Sequence, residues 1–76
     1  MISENVRSVR LAKGVSGSHV AKAIGVTPSG YYAMETGKVE LKAEHLKTIS
    51  NVLGENAEVF FDKKLTESVL ERIKGV

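Results

Sequence analysis

Two histidines, His19 and His45, are the natural place to look for acid–base or metal chemistry in this 76-residue sequence, and they stand 26 residues apart. Neither has a carboxylate at ligand spacing and the chain contains no cysteine, so they do not compose a zinc or other transition-metal site. None of the serines is framed by the glycines of a nucleophile elbow, and no glycine-rich phosphate loop is present. So small a core also leaves little room for a catalytic pocket of about 300 Å³ or more. The sequence therefore points away from an enzyme, and no metal or cofactor is expected. Its most distinctive chemistry lies in residues 24–38, IGVTPSGYYAMETGK. There the hydroxyls of Thr27, Ser29 and Thr36, two adjacent tyrosines and a single charge, Glu35, stand between Gly25 and Gly37. Such groups serve recognition: they make single hydrogen bonds, stack, and touch methyl groups.

These residues need a scaffold, and the spacing of apolar residues predicts one made of helices. Ser3 as N-cap, Glu4 in the first turn and Val6, Val9 and Leu11 at helical spacing give a first helix that Gly14 stops. Ser16 caps a short second helix with Val20, Ala21 and Ile24 on one face, ending at Gly25. Thr27 caps a third, Pro28 fits its first position, and Gly37 closes it. A fourth carries Leu46, Ile49, Val52 and Leu53 up to Gly54, with Lys42 a poor cap. Asn56 caps a short turn holding Val59, Phe60 and Phe61, and Thr66 is the expected cap of a last helix with Leu65, Val69 and Ile73 four apart and Leu70 alongside. No alternating strand, internal repeat or linker interrupts this pattern, so the expected fold is all-α and compact, with five to six helices. The absence of cysteine removes disulfides as staples.

Charge is distributed unevenly. The net charge is +2, but residues 5–53 hold seven basic side chains against three acidic ones, and the rest of the chain from Gly54 holds four against five. The earlier part is the better surface for a polyanion and the tail the better one for protein or water. MISENVRS lacks the apolar run of a signal peptide, and about 18 consecutive apolar residues occur nowhere. A cytoplasmic protein with no membrane partner is expected.

Val20, Ala21 and Ile24, then Gly25 and Val26, then Tyr31 and Met34 have the spacing of a helix-turn-helix, with a small residue at the helix crossing and glycine at the turn. The segment GVSGSHVAKAIGVTPSGYYAMETGK, with VRSVRLAKG before it and LKTISNVLG after it, resembles the Cro-type phage repressors and xenobiotic-response-element (XRE) regulators. The likeness runs from Asn5 to Phe61. It implies a lambda-repressor-like DNA-binding domain over residues 1–61, followed by a helical extension over 62–76. It implies a sequence-specific, double-stranded-DNA-binding transcriptional regulator, of repressor type, whose third helix enters the major groove while the start of the second meets a phosphate.

On that footing Thr27, Pro28, Ser29, Tyr32 and Ala33 face DNA, with Thr36 at the end of the same helix, while Tyr31 and Met34 face the core. Between Thr27 and Thr36 there is no Arg, Lys, Asn or Gln, so bidentate base contacts are absent and direct readout is expected to be thin. Pro28 and Ala33 offer contact to thymine methyls, and Tyr32 a stacking face and a hydroxyl for phosphate. Many relatives begin helix 2 with glutamine; here Gly17 stands instead, which leaves backbone amides, Ser16 and Ser18 for the phosphate. Lys38 and Lys42 are further phosphate candidates, with solvated lysines as the alternative. The family commonly pairs an arginine late in helix 1 with a glutamate late in helix 3, which implies a structural Arg10–Glu35 pair.

Two questions stay open at this level. Leu65, Val69, Leu70 and Ile73, after Phe60 and Phe61, form either the seam of a homodimer or the last wall of the monomer's own core. The thin readout face also suits an antitoxin or protein-interaction module of the same fold, with a protein partner and weak or no DNA binding.

Overall fold

Thr27 and Pro28 start a helix abruptly. In the computed structural model, which describes residues 2–75, Thr27 is extended, its hydroxyl accepts from the Gly30 N–H at 3.1 Å, and Pro28 takes the first helical position, where no amide hydrogen is missed. The elements follow in the order α1 (Ile2–Ala12), α2 (Gly17–Ile24), α3 (Pro28–Glu35), α4 (Ala43–Leu53), a 3₁₀ turn (Ala57–Phe61) and α5 (Lys63–Ile73). Among the described residues there is no strand, and no helix is long and apolar enough to cross a membrane.

The turn between α2 and α3 is tight because Gly25 takes a left-handed conformation, φ 77°, that a side chain would resist. It lets the Val26 N–H return to Ala21 O at 3.0 Å and the Gly25 N–H to Lys22 O at 3.2 Å, a Schellman closure. Ala21 is fully buried at the crossing of the two helices, as its size suggested. Val6 and Val9 from α1, Val20 from α2, Tyr31 from α3, Ile49 and Leu53 from α4 and Phe60 from the 3₁₀ turn fill the centre, all at most 1% exposed.

Three sequence expectations are corrected. Ser3 lies inside α1, which already includes Ile2, so it is not the cap. Leu11 is half-exposed, and the buried stripe of α1 is instead Asn5, Val6, Val9 and Arg10, with Asn5 Nδ2 donating to Phe60 O at 2.9 Å. The cap of α5 is Asp62, whose carboxylate accepts from the Lys64 and Leu65 amides at 2.7 and 3.2 Å. Thr66 sits one turn further on, buried, and donates its hydroxyl to Val59 O at 2.6 Å, so it fastens the helix to the 3₁₀ turn. Asn56 does cap that turn, accepting from the Glu58 N–H at 3.1 Å, and Lys42 precedes α4 with no side-chain cap bond.

α5 lies against α1 and the 3₁₀ turn. Of its apolar residues Val69 is buried in the core, Leu70 and Ile73 are half-buried against it, and Leu65 is exposed. A second tie comes from Glu55 between α4 and the 3₁₀ turn, which receives Lys13 Nζ at 2.7 Å and Arg72 Nη2 at 2.5 Å. Burial alone would raise this carboxyl, but hydrogen bonds from Lys13 and Arg72 hold it below its ordinary value.

Candidate nucleic-acid interface

α3 is only eight residues long, so it rises about 12 Å, close to the ~12 Å width of a DNA major groove. One side of it is anchored. Tyr31 is fully buried, Met34 nearly so, and Glu35 is 3% exposed. On the other side Thr27, Pro28, Ser29, Tyr32 and Thr36 are exposed, while Ala33 is half-buried. The Thr27 hydroxyl is held by its capping bond and lies 3.5 Å from Ser29 Oγ, so the two hydroxyls form one polar point at the tip of the helix. Thr36 donates to Ala33 O at 3.3 Å and closes the far end.

The anchor is ionic. Arg10 Nε and Nη2 donate to the two oxygens of Glu35, both at 2.8 Å, and Nη1 donates to Val15 O at 2.8 Å. The Tyr31 hydroxyl donates to Glu35 as well, and Arg7 approaches the same carboxylate at 3.6 Å from the surface. Burial by itself would raise the Glu35 carboxyl; the hydrogen bonds from Arg10 and Tyr31 and the charges of Arg10 and Arg7 hold it below the ordinary carboxylate value. Burial, with Glu35 beside it, pushes the Tyr31 phenol well above its usual value, so it stays a neutral donor. The Arg10–Glu35 pair is therefore present as the resemblance implied. The Tyr31 bond is an addition, and its signal was available: residues four apart on a helix are neighbours.

The start of α2 is adjacent. Ser16 is its N-cap, accepting from the His19 N–H at 3.1 Å, and Ser18 is exposed. Gly17 is buried, which nothing in the sequence announced, because the Tyr32 ring lies on it. That ring meets Tyr31 edge to face with centroids 5.7 Å apart, and the Arg10 guanidinium stands over it at 5.8 Å. Tyr32 thus keeps 42% of its surface open while its ring is held from three sides. Lys38, in the turn after α3, and Lys42, before α4, are both exposed. His19 is exposed on α2 and His45 half-buried on α4, and no group of three or more His, Cys, Asp or Glu among the described residues is placed to hold a metal ion.

Comparison with known proteins gives two matches and one absence. The family model described as "Helix-turn-helix" matches residues 6–60. The SPbeta prophage-derived uncharacterized HTH-type transcriptional regulator YonR of Bacillus subtilis is 37% identical over 54 residues, which is 71% of this chain and 50% of that protein. The chain thus spans about half the length of that relative. No solved structure matches the chain.

Proposed function

The chain belongs to the XRE-type helix-turn-helix family of DNA-binding regulators, and on that premise we propose that it is a cytoplasmic, sequence-selective repressor of phage or mobile-element type that reads the major groove of double-stranded DNA with α3. One observation carries the reading. The exposed face of α3 presents the Thr27 and Ser29 hydroxyls and the Pro28 ring at its first turn, while its opposite face is locked to α1 through Glu35 and Arg10. A helix tip held this rigidly can bring short side chains to base edges with little loss of conformational freedom. Ser18, the amides at the start of α2, Lys38 and Lys42 supply backbone contacts around it.

The readout remains thin, and a two-fold site read by two copies would double it. Phe61 and Leu65, 61% and 43% exposed, are the apolar side chains left outside the core near the start of α5, and they are our candidates for the contact between copies. α5 then serves both the monomer's core, through Val69, and the dimer, through Leu65.

Selection from a pool of random-sequence duplexes tests the proposal directly. The protein is expected to enrich one motif, and Ser29→Ala to lower affinity for it by up to about tenfold, the worth of one single hydrogen bond, with the helical circular-dichroism signal unchanged. Enrichment of no motif would count against a sequence-selective regulator.

A further inference from the structure

Gly17 stands at the first position of α2 with a negative φ, so the backbone does not require glycine there, and helices ordinarily disfavour it. What requires it is room. A methyl group at position 17 would lie 2.6 Å from Cε1 of Tyr32 and closer still to Cζ and the hydroxyl oxygen, inside any tolerable contact. The Tyr32 ring therefore sits on bare backbone at the start of α2. It cannot easily leave, because Arg10 stands over it at 5.8 Å and Arg10 is itself fixed by Glu35 of α3 and by Val15 O, two residues before Gly17. The same guanidinium thus ties the loop before α2, the end of α3 and the ring that bridges the two helices.

We propose that Tyr32 is a positioning residue of the DNA-binding surface, acting through its seat on Gly17 to fix the start of α2 relative to α3, and that it does not read bases. The proposal rests on the reading of α2 and α3 as the DNA interface. A ring seated on Gly17, with Arg10 over it, is directed at α2 and away from base edges, so discrimination is left to Thr27, Pro28 and Ser29 at the helix tip. The hydroxyl, held beside the first turn of α2, adds at most a contact to the DNA backbone, which carries no sequence information. Positions 17 and 32 form one unit: a side chain at 17 is compatible with a small residue at 32 and, with tyrosine there, displaces the ring from this seat.

A double-variant cycle tests this, using the full chain, the motif that wild-type protein selects from random-sequence duplexes, and melting followed by circular dichroism. Gly17→Ala is expected to weaken binding on the order of tenfold, the size usual for coupled neighbours, whereas Gly17→Ala/Tyr32→Ala should bind and melt no worse than Tyr32→Ala alone. Tyr32→Ala should lower affinity for the selected motif yet select the same bases, and Tyr32→Phe should keep both the selected bases and the melting temperature. A different selected motif for Tyr32→Ala overturns the proposal by placing the ring on bases. Additive effects of the two alanine substitutions overturn the seat. If Gly17→Ala does not fold, a folded double variant supports the seat and an unfolded one overturns it. Wild type that selects no motif refutes the regulator reading instead, and the melting cycle still decides whether the Gly17 seat exists.

Discussion

Arg10 is 5% exposed and carries hydrogen bonds to three acceptors, so its removal strands more than its own charge. Glu35 would stay buried with only the Tyr31 hydroxyl and the solvent-exposed Arg7, 3.6 Å away, to compensate it. Arg10→Ala should therefore destabilise the fold by about 3–5 kcal/mol, as expected for one partner lost from a buried pair. Urea denaturation reads this directly, and equal midpoints for variant and wild type would refute the bridge. The same carboxylate sets an acid limit. The folded-state pKa of Glu35 lies below the unfolded value, so its contribution is fully present above the unfolded value, about 4.3, and is lost as pH falls through the folded value. Glu55 adds to the loss in the same sense. Wild type should lose more stability between pH 5 and pH 3 than Glu35→Gln, in which that titration is absent; parallel pH profiles would exclude Glu35 as a source.

At the scale of elements, α3 was the most legible part of the chain. Thr27, Pro28 and Gly37 marked its limits, and Tyr31 and Met34 its inner side, because caps and 3.6-residue spacing are local signals. α5 was less legible: Thr66 and Asp62 are both competent caps, and they are told apart by the Lys64 and Leu65 amides that Asp62 accepts and by the bond that takes the Thr66 hydroxyl to Val59 O in the 3₁₀ turn. The seat of Tyr32 on Gly17 was not legible at all, since residues 15 apart announce no contact and a glycine at a helix start ordinarily reads as a weak start. Lys38 tests how far the interface extends beyond α3. It is exposed in the turn that follows the helix, anchored through its N–H to Ala33 O at 2.9 Å. Lys38→Ala should weaken selected and unrelated duplexes alike, and reduce the slope of log affinity against log salt by about one unit. An unchanged slope would make it a solvated side chain.

The whole molecule divides its two adjacent phenylalanines between opposite environments. Phe60 is fully buried, whereas Phe61 is 61% exposed, and Leu65, four residues on, is 43% exposed. A chain of this size has few apolar side chains to leave in water, and its Val69, from the same stretch, is already in the core. The folded monomer therefore does not use Phe61 and Leu65 fully, which separates fold from assembly more cleanly than substitution of Val69 could. On the dimer reading, two copies place their α3 helices in half-sites about 34 Å apart, one turn of the duplex, and the second copy doubles the few base contacts that Thr27, Pro28 and Ser29 of one copy would provide. Phe61→Glu/Leu65→Glu should then fold with a melting temperature near that of wild type, sediment as a monomer, and bind a two-fold motif weakly and without cooperativity. Wild type should sediment as a dimer at micromolar concentration, or at least on the motif. Sedimentation of wild type as a monomer with and without the selected duplex would sink the dimer, and unfolding of the double variant would assign Phe61 and Leu65 to the monomer after all.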